Sequence, residues 1–162
     1  MNEPSLSFRE LLAYTDYLAQ RWLNYFRQNP KALAIEVGGR TPRLHDLVTH
    51  IFQVEDFFSN FLFQEDMKPT GRPAHMEAKD LEELERMHRE AHDNLTRYIG
   101  SANQEQLEKM RTMGPVTVSN RKILAQATLH SVHHWAQVAM KVREAGFPTE
   151  RPQDIIASPV MK

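Results

Sequence analysis

Reactive chemistry in this chain has to run on imidazole, because its 162 residues include eight histidines and no cysteine. Without thiols there are no disulfides, zinc–thiolate sites, iron–sulfur clusters or intrinsic thiol nucleophile. Two histidine pairs stand at i,i+4 spacing, His130 with His134 and His88 with His92. On a helix that spacing brings two ring nitrogens within reach of one ion, as in the paired histidines of zinc enzymes. His50 is the candidate third imidazole, and three nitrogens leave an open coordination position.

Four segments of helical periodicity must position these side chains. The first runs from Ser5 to Gln28 and stops before Pro30. The second opens at Thr41-Pro42, a cap residue followed by proline at the first helical position, and fades before Pro69. The third, Ala78 to Ile99, is closed by Gly100, and the fourth runs from the Ser119-Asn120 cap signal to Gly146. Between the last two, Gln104 to Met110 predicts a short helix and Gly114–Val118 an extended or turn-like stretch. Four helices of this length predict an all-α antiparallel bundle, with linkers long enough for a crossover.

At about 100° per residue, Leu124, Thr128, Ser131, Trp135, Val138 and Val142 centre the apolar face of the fourth helix. His130 and His134 flank that centre together, while His133 points toward solvent. His50 borders the buried face of the second helix between Leu47 and Val54, and it completes a site only if helices two and four are adjacent. Asp46, one turn earlier, is either an outer carboxylate for such a site or a first-turn acid favoured by the helix dipole. Gln53 and Gln137 lie one turn after His50 and His134, as supporting groups or as exposed glutamines. His88 and His92 lie nearer the apolar centre of their own helix. They can bind the ion, line the cavity opposite it, or be satisfied by Arg86, Glu90 and Asp93. Periodicity does not choose between the pairs.

Composition narrows the partners. Twenty basic residues against 21 acidic ones leave a net charge of −1, without the basic face that nucleic-acid binding needs. Met1–Ser5 lacks the charged and apolar regions of a signal peptide, and no apolar run approaches the ~18 residues of a membrane span. The expectation is one cytoplasmic domain over residues 1–162, with the proline-bearing tail 147–162 lying on its surface and no membrane partner. Phe52, Phe57, Phe58, Phe61 and Phe63 spread around the second helix, and Tyr17, Trp22, Tyr25 and Phe26 around the first. That spread exceeds one buried face and predicts a homodimer, since exposed apolar patches mark interfaces.

The segment from His130 through Ser131, Val132, His133, His134, Trp135, Ala136 and Gln137 to Val138, followed by Arg143–Pro148, resembles the fourth-helix signature of the DinB/YfiT-like metalloproteins. Ala136 stands where that signature has glycine. Leu47–Glu55 is similar to the family's other ligand-bearing stretch, Tyr14–Arg21 to its first helix, and Asp154–Ile156 to its tail. The resemblance implies an up-down-down-up four-helix bundle. It also implies a divalent metal held by His50, His130 and His134, with no ligand role for His133, His88 or His92; three such imidazoles suit Zn2+, Ni2+ or another first-row divalent ion.

The resemblance further implies a transferase or isomerase that joins a low-molecular-weight thiol, of the bacillithiol or mycothiol type, to a small electrophile. Since this chain has no cysteine, the thiol arrives as cosubstrate. Two other readings stand beside it: a metal-dependent hydrolase, for which Asp46 is the nominated base, and a stress-associated metal-binding protein without turnover.

Overall fold

The computed structural model describes residues 7–63, 80–148 and 154–160. Five helices dominate it: α1 (Phe8–Gln28), α2 (Leu44–Phe63), α3 (Leu81–Ser101), the short α4 (Gln104–Glu108) and α5 (Asn120–Glu144). A two-stranded antiparallel sheet, β1 (Met110–Met113) and β2 (Val116–Ser119), lies between α4 and α5. The described residues are therefore mostly helical, as expected, with a small hairpin added. The Gly114-Pro115 turn is the reason for the hairpin, because Gly114 adopts a φ of 55° and reverses the chain within two residues. β1 is anchored by Arg111, whose guanidinium donates to the Phe61 carbonyl at 3.2 Å and lies 4.5 Å above the Phe61 ring.

Helix boundaries follow local hydrogen bonding. Ser7 and Glu10 form a reciprocal capping box at the start of α1, two residues after the expected Ser5, which lies outside the described residues. Thr41-Pro42 does not open α2. The Pro42 carbonyl instead accepts from the Val37 N–H at 2.9 Å, Glu36 pairs with Arg43, and the helix begins at Leu44. Asp80 caps α3 through the Glu83 N–H. That helix runs through Gly100 to Ser101 and is turned by extended Ala102, so glycine does not end it. Ser119 caps α5, and Gly146 beyond its end takes the left-handed conformation with φ 75°.

Two buried clusters hold these helices together. The larger joins Tyr14–Phe26 of α1, Leu44–Phe52 of α2, Leu84 and Met87 of α3, and Trp135–Val142 of α5. The smaller joins Leu12, Phe61, Leu62, Leu95, Tyr98 and Ile123–Ala127. α1 and α2 each pack against both α3 and α5. Helix α2 is thus covered on two sides, and Phe52, expected outside the inner stripe, is fully buried against His88 and Trp135. Trp22, Phe26 and Phe61 are buried as well, whereas Phe63 is 42 % exposed. From the tail, Phe147 and Val160 pack on the larger cluster and Ile156 is exposed. Among the described residues, no helix is long and apolar enough to cross a membrane.

Candidate metal centre

Because α2 packs against α5, His50 meets the two inner-flank histidines of α5. One ligand nitrogen from each of His50, His130 and His134 lies within 4.8 Å of the others, and all three side chains are half-buried. The rings meet edge to face, with centroids 5.0 Å apart for His50 and His130, 5.1 Å for His50 and His134, and 4.4 Å for the α5 pair. A zinc–nitrogen bond is ~2.0–2.1 Å, so modest closure brings all three onto one ion.

The chemistry of this donor set fits a divalent cation. Nδ1 of His130 is buried without a hydrogen-bond partner, an arrangement normally avoided at a cost of about 1–3 kcal/mol. Burial, reinforced by His134, His50 and His133, pushes the His130 pKa down to about 3. Burial also lowers that of His134, against the opposing pull of Gln137. Neutral imidazoles are the ligand form, so neither His130 nor His134 has to lose a proton for a metal to bind at neutral pH.

Outer contacts orient the ligands. Gln137 Oε1 lies 2.7 Å from His134 Nδ1, so the ring donates there and turns Nε2 outward as a lone pair. Gln137 in turn donates through Nε2 to exposed His133, at 3.2 Å. His133 is therefore outside the three-nitrogen set but supports the glutamine that orients one member. Gln53 is buried rather than exposed. Asp46 is neither ligand nor outer partner: its carboxylate accepts from the Arg43 N–H at 2.9 Å, closing the first turn of α2.

The rival pair has a different environment. His88 is 2 % exposed, with Nδ1 2.8 Å from Glu55 Oε2 and Nε2 3.0 Å from Asp16 Oδ1. These partners come from α2 and α1, not from the neighbours Arg86, Glu90 and Asp93. Both ring nitrogens face carboxylate oxygens, so both carry protons, which only the imidazolium provides. Burial opposes that charge, but Glu55 and Asp16 outweigh it and push the His88 pKa up to about 9. Glu55 Oε1 also accepts from Ser131 Oγ at 2.5 Å. His92 is half-buried, its ring 6.0 Å from that of His88. Sequence reasoning missed Asp16 and Glu55 as functional groups. The available signal was position, since each acid falls one turn after an inner-face apolar residue, Leu12 or Ile51.

Fold and site together define a mostly helical protein whose long helices gather three imidazoles into a candidate divalent-metal centre. The chain belongs to the DinB family, whose model matches residues 1–154. It is similar in fold to the crystal structure of a DinB-like protein, YjoA, from Bacillus subtilis. That match has a TM-score of 0.56 and 20 % identity, covering 90 % of this chain and 92 % of the other. No curated protein matches the chain.

Proposed function

We propose that this protein is a metal-dependent transferase or isomerase that joins a low-molecular-weight thiol to a small electrophile. The observation that carries the reading is the convergence of His50, His130 and His134, with burial keeping His130 and His134 neutral. Bound there, a Zn2+ or Ni2+ ion with an open position lowers the pKa of a water or thiol that reaches it. The chain's own residues hold the three nitrogens, keep His130 and His134 unprotonated and fix the His134 tautomer through Gln137. Having no cysteine, the protein draws its sulfur from a bacillithiol- or mycothiol-type cosubstrate. The hydrolase reading is weaker because Asp46, its nominated base, is engaged by the Arg43 N–H.

The proposed topology is an up-down-down-up four-helix bundle. In its support, α1 and α5 run from the smaller apolar cluster to the larger, while α2 and α3 run from the larger to the smaller. We further propose that the domain works in the cytoplasm as a homodimer, supported by exposed Phe63, Leu129 and Met140.

The experiment is consumption of a model electrophile by protein loaded with Zn2+ or Ni2+, with and without added thiol and chelator. The proposal expects turnover that needs both metal and thiol. Full activity after chelation, or equal rates without thiol, would contradict it. Thiol-independent hydrolysis that stops with chelator favours the hydrolase, and metal binding without turnover favours the stress-associated binding protein.

A further inference from the structure

Four long helices meet at one buried polar chain. Asp16 of α1 contacts His88 of α3, His88 contacts Glu55 of α2, and Glu55 contacts Ser131 of α5. Three of the four side chains are buried, and Asp16 brings the chain to a half-exposed position. Two features tie this chain to the histidine site. Glu55 is on the helix that carries His50, and Ser131 falls between His130 and His134 on the turn they share. Ser131 Oγ also lies 3.2 Å from the Ala127 carbonyl, but its single proton goes to the much closer Glu55 carboxylate, so the hydroxyl ties α5 directly to α2. A short charge-assisted hydrogen bond from a side chain with a single rotatable bond leaves little freedom for α5 to rotate or slide against α2. Apolar packing resists such movement less sharply, because it is not directional.

We propose that the Asp16–His88–Glu55–Ser131 chain is a positioning device that sets the rotation of α5 against α2, and thereby the convergence of His50 with His130 and His134. None of the four binds the ion; each acts through the next. His88 supplies two donors in opposite directions, which a neutral imidazole does not have, so Glu55 is fixed from α3 before it fixes α5. Glu55 in turn uses one oxygen for each neighbour. The inference rests on the three-histidine reading given above, and deepens it.

Co2+ serves as the probe, since its ligand-field bands report coordination geometry independently of catalysis. Ser131→Ala removes the link to α5 and leaves the other contacts in place; His88→Gln removes the anchor on a helix that carries no ligand. Each variant, confirmed as folded by circular dichroism, is expected to bind Co2+ at least tenfold more weakly, with altered bands. The double variant is expected to be no worse than the weaker single one, because the residues act in series. Folded Ser131→Ala with wild-type affinity and bands would overturn the proposal.

A metal-free arm separates this proposal from the site reading. Amide hydrogen exchange over residues 130–135 is measured on apo protein, and Glu55→Gln serves should His88→Gln not fold. Faster exchange in the variant supports positioning even if wild-type protein fails to bind Co2+, a failure that would remove only the three-histidine reading. Unchanged exchange overturns the positioning device.

Discussion

The two histidine pairs share a spacing and an inward-facing aspect, yet they end in opposite chemical states. On α5, His130 and His134 meet a third imidazole, and their charged forms are disfavoured by burial and by neighbouring imidazoles. On α3, His88 meets two carboxylates and is held as imidazolium up to about pH 9. One pair offers lone pairs; in the other, the buried member spends both nitrogens as donors. Spacing makes a histidine pair possible, and the groups that face it across the core decide whether it can hold a metal.

The largest expected effect separates the pairs by stability. Glu55→Ala leaves a buried imidazolium short of a partner, and breaking such a pair costs about 3–5 kcal/mol. Urea unfolding checks this. His130→Ala removes a half-buried ring with an unpaired nitrogen, and should cost much less while stripping the metal. Equal losses would erase the contrast.

The pairs should also titrate stability in opposite directions in the metal-free protein. The pKa of His88 is raised above 6.5, so its contribution is complete below that value and is lost as pH rises through about 9. The pKa of His130 is depressed from 6.5 to about 3, so its contribution is complete above 6.5 and is lost as pH falls toward 3. Asp16, lowered chiefly by its hydrogen bond to His88, adds a further loss below 3.8. Unfolding free energies across pH 2–10 test this. The alkaline decline should be absent in His88→Gln, and the acid decline smaller in His130→Ala.

How much of this was legible in the sequence follows from the range of the interactions. Helix periodicity placed α5 and its buried face, Leu124 through Val142, because the signal repeats over many residues of one element. The flanking position of His130 and His134 came with it. The partners of His88 did not, since Glu55 and Asp16 lie 33 and 72 residues away in sequence. Only the packing of separate helices joins them. The start of α2 failed for a local reason: a proline after threonine also suits the bridge that Glu36 and Arg43 make. The β1–β2 hairpin shows in the sequence only as an extended or turn-like stretch because each strand has only four residues. His50 rests in the sequence on the family resemblance, and the packing of α2 on α5 supplies the adjacency it requires.

The smallest expected effects sharpen the site itself. Gln137→Ala should weaken metal binding by ~10–100-fold, the usual effect of losing an outer hydrogen bond to a ligand. His133→Ala, one step further out, should change it less and leave the stoichiometry intact. Titration of both variants with Zn2+ checks the order, and a larger loss for His133 would make it a ligand.

The most direct measurement of the central claim is metal stoichiometry in purified wild-type protein and in His50→Ala, His130→Ala, His134→Ala and His92→Ala. The three-histidine centre predicts one divalent ion per chain in wild type and in His92→Ala, and sharply reduced metal in the other three. Metal retained by His130→Ala but lost from His92→Ala would place the ion at the α3 pair and contradict it.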